Sequence, residues 1–179
     1  MSLAIGMIEL NSIARGIETC DFMIKAAQVT LLRASSICPG KYMILIGGNT
    51  GDVKASMTEG MKRGDESVVD SLILPNIHPD LIPAISGTTH VPEYGAVGVL
   101  EFYSVASAIK ASDIAAKAAK VTLIEVHIGF AIGGKGYVTL TGEVGDVRAA
   151  VNAAKDSSEL MVDTAVIPRP DKRLYDSLI

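Results

Sequence analysis

The sequence predicts an α+β fold made of two tandem ferredoxin-like units of the split βαβ kind, spanning residues 1–88 and 89–179. Three observations predict it. Ala4 to Leu31 laid on Ala96 to Leu123 gives 13 identities in 28 positions, where average residue frequencies would give about two. The register then slips by two residues in one loop and recovers, so that Gly40-Lys41 meets Gly134-Lys135 and Gly51-Asp52-Val53 meets Gly145-Asp146-Val147. Farther on, Val69-Asp70 meets Val162-Asp163 and Pro75 meets Pro168. Each copy carries the same succession of patterns, β-α-β-β-α-β-α, which builds one sheet with helices on one face.

Taken in order, Ala4 to Leu10 alternates as a strand. Ser12 suits a helix N-cap, and Ile13, Ile17, Cys20 and Ile24 recur at helical spacing on one face through Ala27. Thr30 to Ser36 reads as a second strand and Lys41 to Ile46 as a third. Gly47-Gly48 and Gly51 punctuate the chain before a helix from about Asp52 to Lys62. Val68 to Leu74 is a fourth strand, stopped by Pro75. A short helix over Pro79 to Ile85 follows, and Ser86 to Gly95, rich in Gly, Thr and Pro, links the copies.

Of the 179 residues, 49% are hydrophobic and 20% charged, an ordinary globular composition with enough chain to bury a core. Aromatic residues are 4%, and Trp is absent, so the core is expected to use small and β-branched side chains that pack closely. A net charge of −4 argues against a nucleic-acid surface, which needs clustered Lys and Arg. No apolar run approaches the ~20 residues of a membrane helix, and Glu9, Arg15 and Glu18 interrupt the amino end, against a secretory signal. Two Cys at unrelated positions, Cys20 and Cys38, suit a reducing compartment better than a disulfide framework.

The run from Gly129 through Gly134 to Lys135 has the spacing of a phosphate-binding loop, but Gly136 stands where a Ser or Thr should ligate magnesium. The run also feeds a strand-like Tyr137 to Thr141 rather than a helix, so its amides would not face a phosphate. His78, His90 and His127 lack metal-ligand spacing, and no Ser/His/Asp order suggests a triad. His127, beside the glycine loop, is expected at the surface or in a hydrogen bond. Glu9 and Glu101 are repeat-equivalent and read more readily as a symmetric structural feature than as an acid/base pair, so the chain is expected not to be an enzyme. Cys20 lies on the first helix and is matched by Ser112, as a small half-buried residue would be. Cys38 lies in Ser36-Ile37-Cys38-Pro39-Gly40, where the copies diverge. A loop thiol there is exposed enough to be a ligand or a reactive group, and equally able to be incidental.

Asp21-x-x-x-Lys25-Ala26-Ala27-x-Val29, the loop before Gly40-Lys41, the Gly-Asp-Val turn and Ile167-Pro168-Arg169-Pro170 together resemble the bacterial microcompartment shell domain, twice over and across nearly the whole chain. The resemblance implies a shell tile inside a bacterial cell: a homotrimer whose six domains imitate a hexamer and which packs against other shell proteins. The stretch Ile37-Cys38-Pro39-Gly40-Lys41, the segment Leu74-Pro75-Asn76-Ile77-His78 and Pro83-Ala84-Ile85-Ser86-Gly87 are most similar to the iron–sulfur branch of tandem shell proteins in propanediol-utilising compartments. That similarity implies one [4Fe–4S] cluster per trimer on the threefold axis, with three Cys38 ligands, and electron transfer across the shell to a luminal redox enzyme. Ser36, Ile37, Cys38, Pro39, Gly40, Gly133 and Gly134 would then line a central pore. Lys25, Lys117 and Arg169 would lie at the tile edge, where the first copy has Asn76 in place of Arg169. A tile whose Cys38 loop gates metabolites without a functional cluster, a Cys38 zinc site, and a duplicated ferredoxin-like regulator are the alternatives.

Overall fold

A computed structural model describes residues 3–91, 93 and 95–178. The chain divides into two compact units, Met1–Ile77 and His78–Ile179.

In the first unit, β1 (Leu3–Leu10) is followed by α1 (Ile13–Ala26), β2 (Thr30–Ile37), β3 (Lys41–Asn49), α2 (Thr50–Gly64), a 3-10 turn (Asp65–Ser67) and β4 (Val68–Leu74). The strand order is β2-β3-β1-β4, with antiparallel neighbours throughout. Helix α1 carries the chain from β1 to β2, and β3 fills the slot between those two strands, which is the split βαβ arrangement. Ser12 is the N-cap of α1, its Oγ accepting from Arg15 N at 3.3 Å. Asn49 caps α2 by accepting from Asp52 N at 2.9 Å, and Asp52 in the first turn with Lys62 and Arg63 in the last complements the helix dipole.

Strand β3 runs through Gly47-Gly48 rather than stopping at Ile46. Gly47 pairs with both Ile5 and Thr30, and a Cβ there would come within 3.1 Å of Leu32, so these glycines admit a neighbouring side chain instead of ending the strand. The core between sheet and helices gathers Ala4, Ile8, Leu10, Cys20, Met23, Ile44, Ile46, Val53 and Met57. Ser56 Oγ ties α2 to α1 by donating to Met23 O at 2.8 Å. The helices lie so close to the sheet that a Cβ on Gly60 would meet Ile8 and Met23 at 2.6 Å.

Helix α1 departs from the expected face. It buries Gly16, Thr19, Cys20 and Met23, while Ile13, Ile17 and Ile24 are 43%, 56% and 41% exposed. Gly16 lets that face lie close to β3, since a Cβ at that position would overlap Tyr42 Cβ at 2.6 Å.

The second unit begins with α3 (Leu81–Ser86) and continues through β5 (Ala96–Phe102), α4 (Val105–Ala118), β6 (Val121–Ile128), β7 (Gly136–Gly142), α5 (Val144–Lys155), β8 (Met161–Ile167) and α6 (Lys172–Asp176). Its strand order, β6-β7-β5-β8, repeats that of the first. The division falls before the expected boundary at residue 88 because α3 packs on β6 and α4, burying Leu81 and Ala84 completely. The backbone N–H of His78 donates to Asp113 Oδ1 of α4 at 2.7 Å. Gly87, at φ 67°, ends α3 in the left-handed conformation. The expected linker includes Pro92 and Tyr94, which lie outside the described residues. Here the stripe equivalent to Ile13, Ile17 and Ile24 is closed: Val105 and Ile109 are fully buried and Ala116 is 5% exposed. Tyr175 of α6 is 1% exposed and packs with Val97 and Ile124.

Candidate functional site

The loop between β2 and β3 consists of Cys38, Pro39 and Gly40. Gly40 N donates to Ile37 O at 3.0 Å and closes the turn. Gly40 has φ 87°, a conformation that a side chain would strain, and the Cys38–Pro39 bond is cis. Ile37 is buried, whereas the free thiol of Cys38 is half-exposed. Sequence alone separated Cys38 from Cys20 by their loop and helix settings, and their surroundings differ accordingly. Cys20 is 7% exposed within the core, and burial, helped by the neighbouring Asp21, pushes its thiol above the ordinary range.

An ion pair fastens each loop to the central strand of its own sheet. Lys41, the first residue of β3, bonds to Glu9 of β1, and in the second unit Lys135 Nζ lies 2.8 Å from Glu101 Oε1 of β5. The two Glu/Lys pairs were legible as repeat identities, although their partnership was not. Burial raises the Glu9 carboxyl above its usual value against the opposing pull of Lys41.

The equivalent loop of the second unit runs from Gly129 to Lys135, seven residues against three, and enters strand β7. With Lys135 held by Glu101 and no helix opening at its end, the loop lacks the geometry of a phosphate cradle. Gly129, Ala131, Gly133 and Gly134 all have positive φ, at 72°, 59°, 68° and 83°. Gly129 N donates to Lys135 O at 3.0 Å, and Lys135 N to Ile132 O at 3.3 Å. His127, at the end of β6, makes two hydrogen bonds: Nδ1 lies 2.9 Å from Glu125 Oε1, and Nε2 lies 2.8 Å from Phe130 O. Tyr137 stacks on the imidazole with ring centroids 4.9 Å apart and donates its hydroxyl to Glu125 Oε2 at 2.9 Å. The spacing Glu125-x-His127 was the available signal for this group, since residues two apart on a strand share a face.

The three expected edge residues lie in different settings. Lys25 is exposed on α1 and pairs with Asp21 at 2.6 Å. Lys117 occupies the same position on α4 and pairs with Asp113 at 2.5 Å, but here the carboxylate is buried and also accepts from His78 N. Arg169 is exposed after β8 and lines a cavity of about 510 Å³ with Lys172, Glu143 and Tyr175. Asn76, its counterpart in the first unit, has φ 52°.

The BMC domain family model matches residues 4–77 and again residues 96–170. The chain belongs to the BMC domain family. Its two BMC domains correspond to the two sheets, and the unmatched residues between them include α3. The chain is 46% identical to the bacterial microcompartment shell protein PduT of Citrobacter freundii, across 100% of this chain and 99% of the relative. It is 31% identical to the carboxysome assembly protein CcmO of Synechococcus elongatus, across 98% of this chain and 68% of the relative. The crystal structure of a microcompartments protein from Desulfitobacterium hafniense superposes with a TM-score of 0.94 at 46% identity, covering 98% of this chain and 99% of that one. These full-length likenesses make this chain a tandem BMC-domain shell protein.

Among the described residues of one chain, no group of three or more His, Cys, Asp or Glu side chains could hold a metal ion. Of the two free thiols of the chain, Cys20 is buried, and Cys38 lies at the tip of a turn with open space around Gly40. That donor set fits a soft-metal or iron–sulfur group solely where thiolates from several chains meet. No described helix is long and apolar enough to cross a membrane.

Proposed function

We propose that this chain is a shell tile of a bacterial microcompartment, assembled as a homotrimer whose six BMC domains alternate around a threefold axis, with one [4Fe–4S] cluster held by three Cys38 thiolates. The observation that carries the assembly is the unequal exposure of equivalent positions. Ile13, Ile17 and Ile24 stand in solvent while Val105, Ile109 and Ala116 are buried. A contiguous apolar stripe that is closed in one repeat and open in the other marks a surface awaiting a partner. Two unlike halves cannot form a true sixfold ring, but three chains can alternate them and close. The full-length match to a protein named as a microcompartment shell protein supports the tile role.

The two loops, with Ser36, Ile37, Cys38, Pro39 and Gly40 on one and Gly133 and Gly134 on the other, line the pore in this reading. The Glu9–Lys41 pair holds the base of the Cys38 loop to the sheet, so the thiol is presented from a fixed strand end. When bound, an iron–sulfur cluster supplies one-electron transfer, here between the two sides of the shell and toward a luminal redox enzyme. Other shell proteins pack along the edge that carries Lys25, Lys117 and Arg169.

Two measurements test the reading separately. Light scattering at micromolar concentration should give a trimer, and Ile17→Asp should shift it to smaller species without unfolding; a monomeric wild type defeats the assembly. Protein purified without oxygen should be brown and contain iron and sulfide, whereas Cys38→Ser should be a colourless trimer. Zinc without sulfide, or iron retained in Cys38→Ser, defeats the cluster and leaves the tile standing.

A further inference from the structure

We propose that His127 is a pH-sensitive latch on the Gly129–Lys135 loop, closed when the imidazole is doubly protonated and released when it is neutral. Both atoms facing the ring, the Glu125 carboxylate oxygen and the Phe130 carbonyl oxygen, are hydrogen-bond acceptors. A neutral imidazole has one N–H, and an imidazolium has two. The observed contacts at 2.9 and 2.8 Å are therefore both satisfied only by the cation.

The order in which the bonds fail follows from the partners. A carboxylate is the stronger acceptor and keeps the Nδ1 proton, and Tyr137 on its other oxygen fixes its orientation. Loss of the remaining proton leaves the Nε2 lone pair against the Phe130 carbonyl, turning an attraction into a repulsion. Phe130 belongs to a loop held otherwise by two backbone bonds and, at its far end, the Lys135–Glu101 ion pair; its glycines and Ala131 sit at positive φ, and the Phe130 residue is 61% exposed. Histidine is the side chain whose charge ordinarily changes between about pH 5 and 8.

Among the described residues, the titratable side chains in contact with the ring are Glu125 and Tyr137. On β7 the stacked Tyr137 phenol is pushed up to about 12 by burial and by Glu125, and stays a donor throughout. In the same register row, Glu101 is already matched to Lys135, with Asp163 of β8 beyond it. Beside Glu125 the groove is lined by Gly87, Thr89, Val91, Ile124, Ser177 and Leu178, which carry no charge. The first unit has no such device: its equivalent strand positions are Arg33 and Ser35, joined by a bond of 3.3 Å. The latch thus belongs to one loop of the two.

Hydrogen exchange of the full-length, assembled protein tests this, with imidazole nitrogen resonances reporting the protonation of His127. Between about pH 5 and 8, loop amides 129–134, corrected for intrinsic exchange, should lose protection by about tenfold or more, the scale of one charge-assisted hydrogen bond. The loss should track the imidazole titration. In His127→Gln, whose amide donates irrespective of pH, protection should be flat. In Glu125→Gln, the midpoint should fall to lower pH. Protection that is flat in wild type, equally sloped in His127→Gln, or unmoved in Glu125→Gln overturns the latch, as does an Nε2 that carries no proton at pH 5.

Discussion

Glu9 and Glu101 occupy the same place in their repeats and bond equivalent lysines, Lys41 and Lys135, yet Glu9 is 1% exposed and Glu101 35%. Burial decides the difference at Glu9: removing a carboxylate from water disfavours its charged form more than Lys41 favours it. A carboxyl raised in the folded state binds its proton more tightly there than in the unfolded chain. Its contribution to stability is therefore complete below the ordinary carboxylate value of about 4.3 and is lost as pH rises through the higher folded value. Glu9→Gln imitates the protonated form, so the stability of wild type relative to Glu9→Gln should fall as pH rises above the ordinary carboxylate value. Urea unfolding at a series of pH values measures it, and a constant difference would remove burial as the governing effect. Cys20 follows the same physics: its raised thiol is a poor source of the thiolate a metal needs. Cys20→Ser should keep the iron content and colour of wild type. Sequence distinguished the two cysteines by position in helix and loop, because that distinction is local. It could not pair Glu125 with Tyr137, because strand register brings them together across residues of no special pattern.

Helices α1 and α4 show where periodicity stops being informative. Ile13, Ile17, Cys20 and Ile24 make a regular stripe, and in α4 the corresponding Val105, Ile109, Ser112 and Ala116 are all buried. In α1 the three isoleucines remain outside, although both helices turn the same positions inward, Gly16, Thr19, Cys20 and Met23 matching Ala108, Ala111, Ser112 and Ala115. Apolar spacing says which residues share a face; it does not say what meets that face. The succession of strands and helices and N-cap Ser12 were readable because each depends on neighbours in sequence, and the repeat because the chain matches itself. Close approach of elements was less readable, and Gly136 is an example. A Cβ there would lie 2.6 Å from Ala108 Cβ and 3.3 Å from His127 O and Val105 Cα, atoms without a flexible end to move away. Gly136→Ala should cost about 1–3 kcal/mol as overpacking, read as a lower denaturant midpoint with the slope unchanged. A variant as stable as wild type would mean that α4 can slide from β7 freely.

For the whole molecule, the residues proposed for the tile edge separate folding from assembly. Lys25 and Asp21 form an exposed pair on one helical turn, of a kind worth about 0.3–0.5 kcal/mol. Arg169 is exposed beyond the last strand. Lys25→Ala and Arg169→Ala should leave thermal unfolding and trimer mass nearly unchanged while reducing the extended sheets seen by electron microscopy. Sheets as extensive as those of wild type would take these residues off the tile edge. The segment after Ile77 matters to anyone who wishes to dissect the protein. It reads as the tail of the first repeat, but Leu81 and Ala84 are buried with the second. A gene cut at the repeat boundary near residue 88 would hand that tail to the wrong fragment, uncovering β6 on one piece and leaving a greasy overhang on the other. Cutting between Ile77 and His78 gives each fragment its own core, and is the site at which splitting, permuting or exchanging the halves should yield soluble pieces.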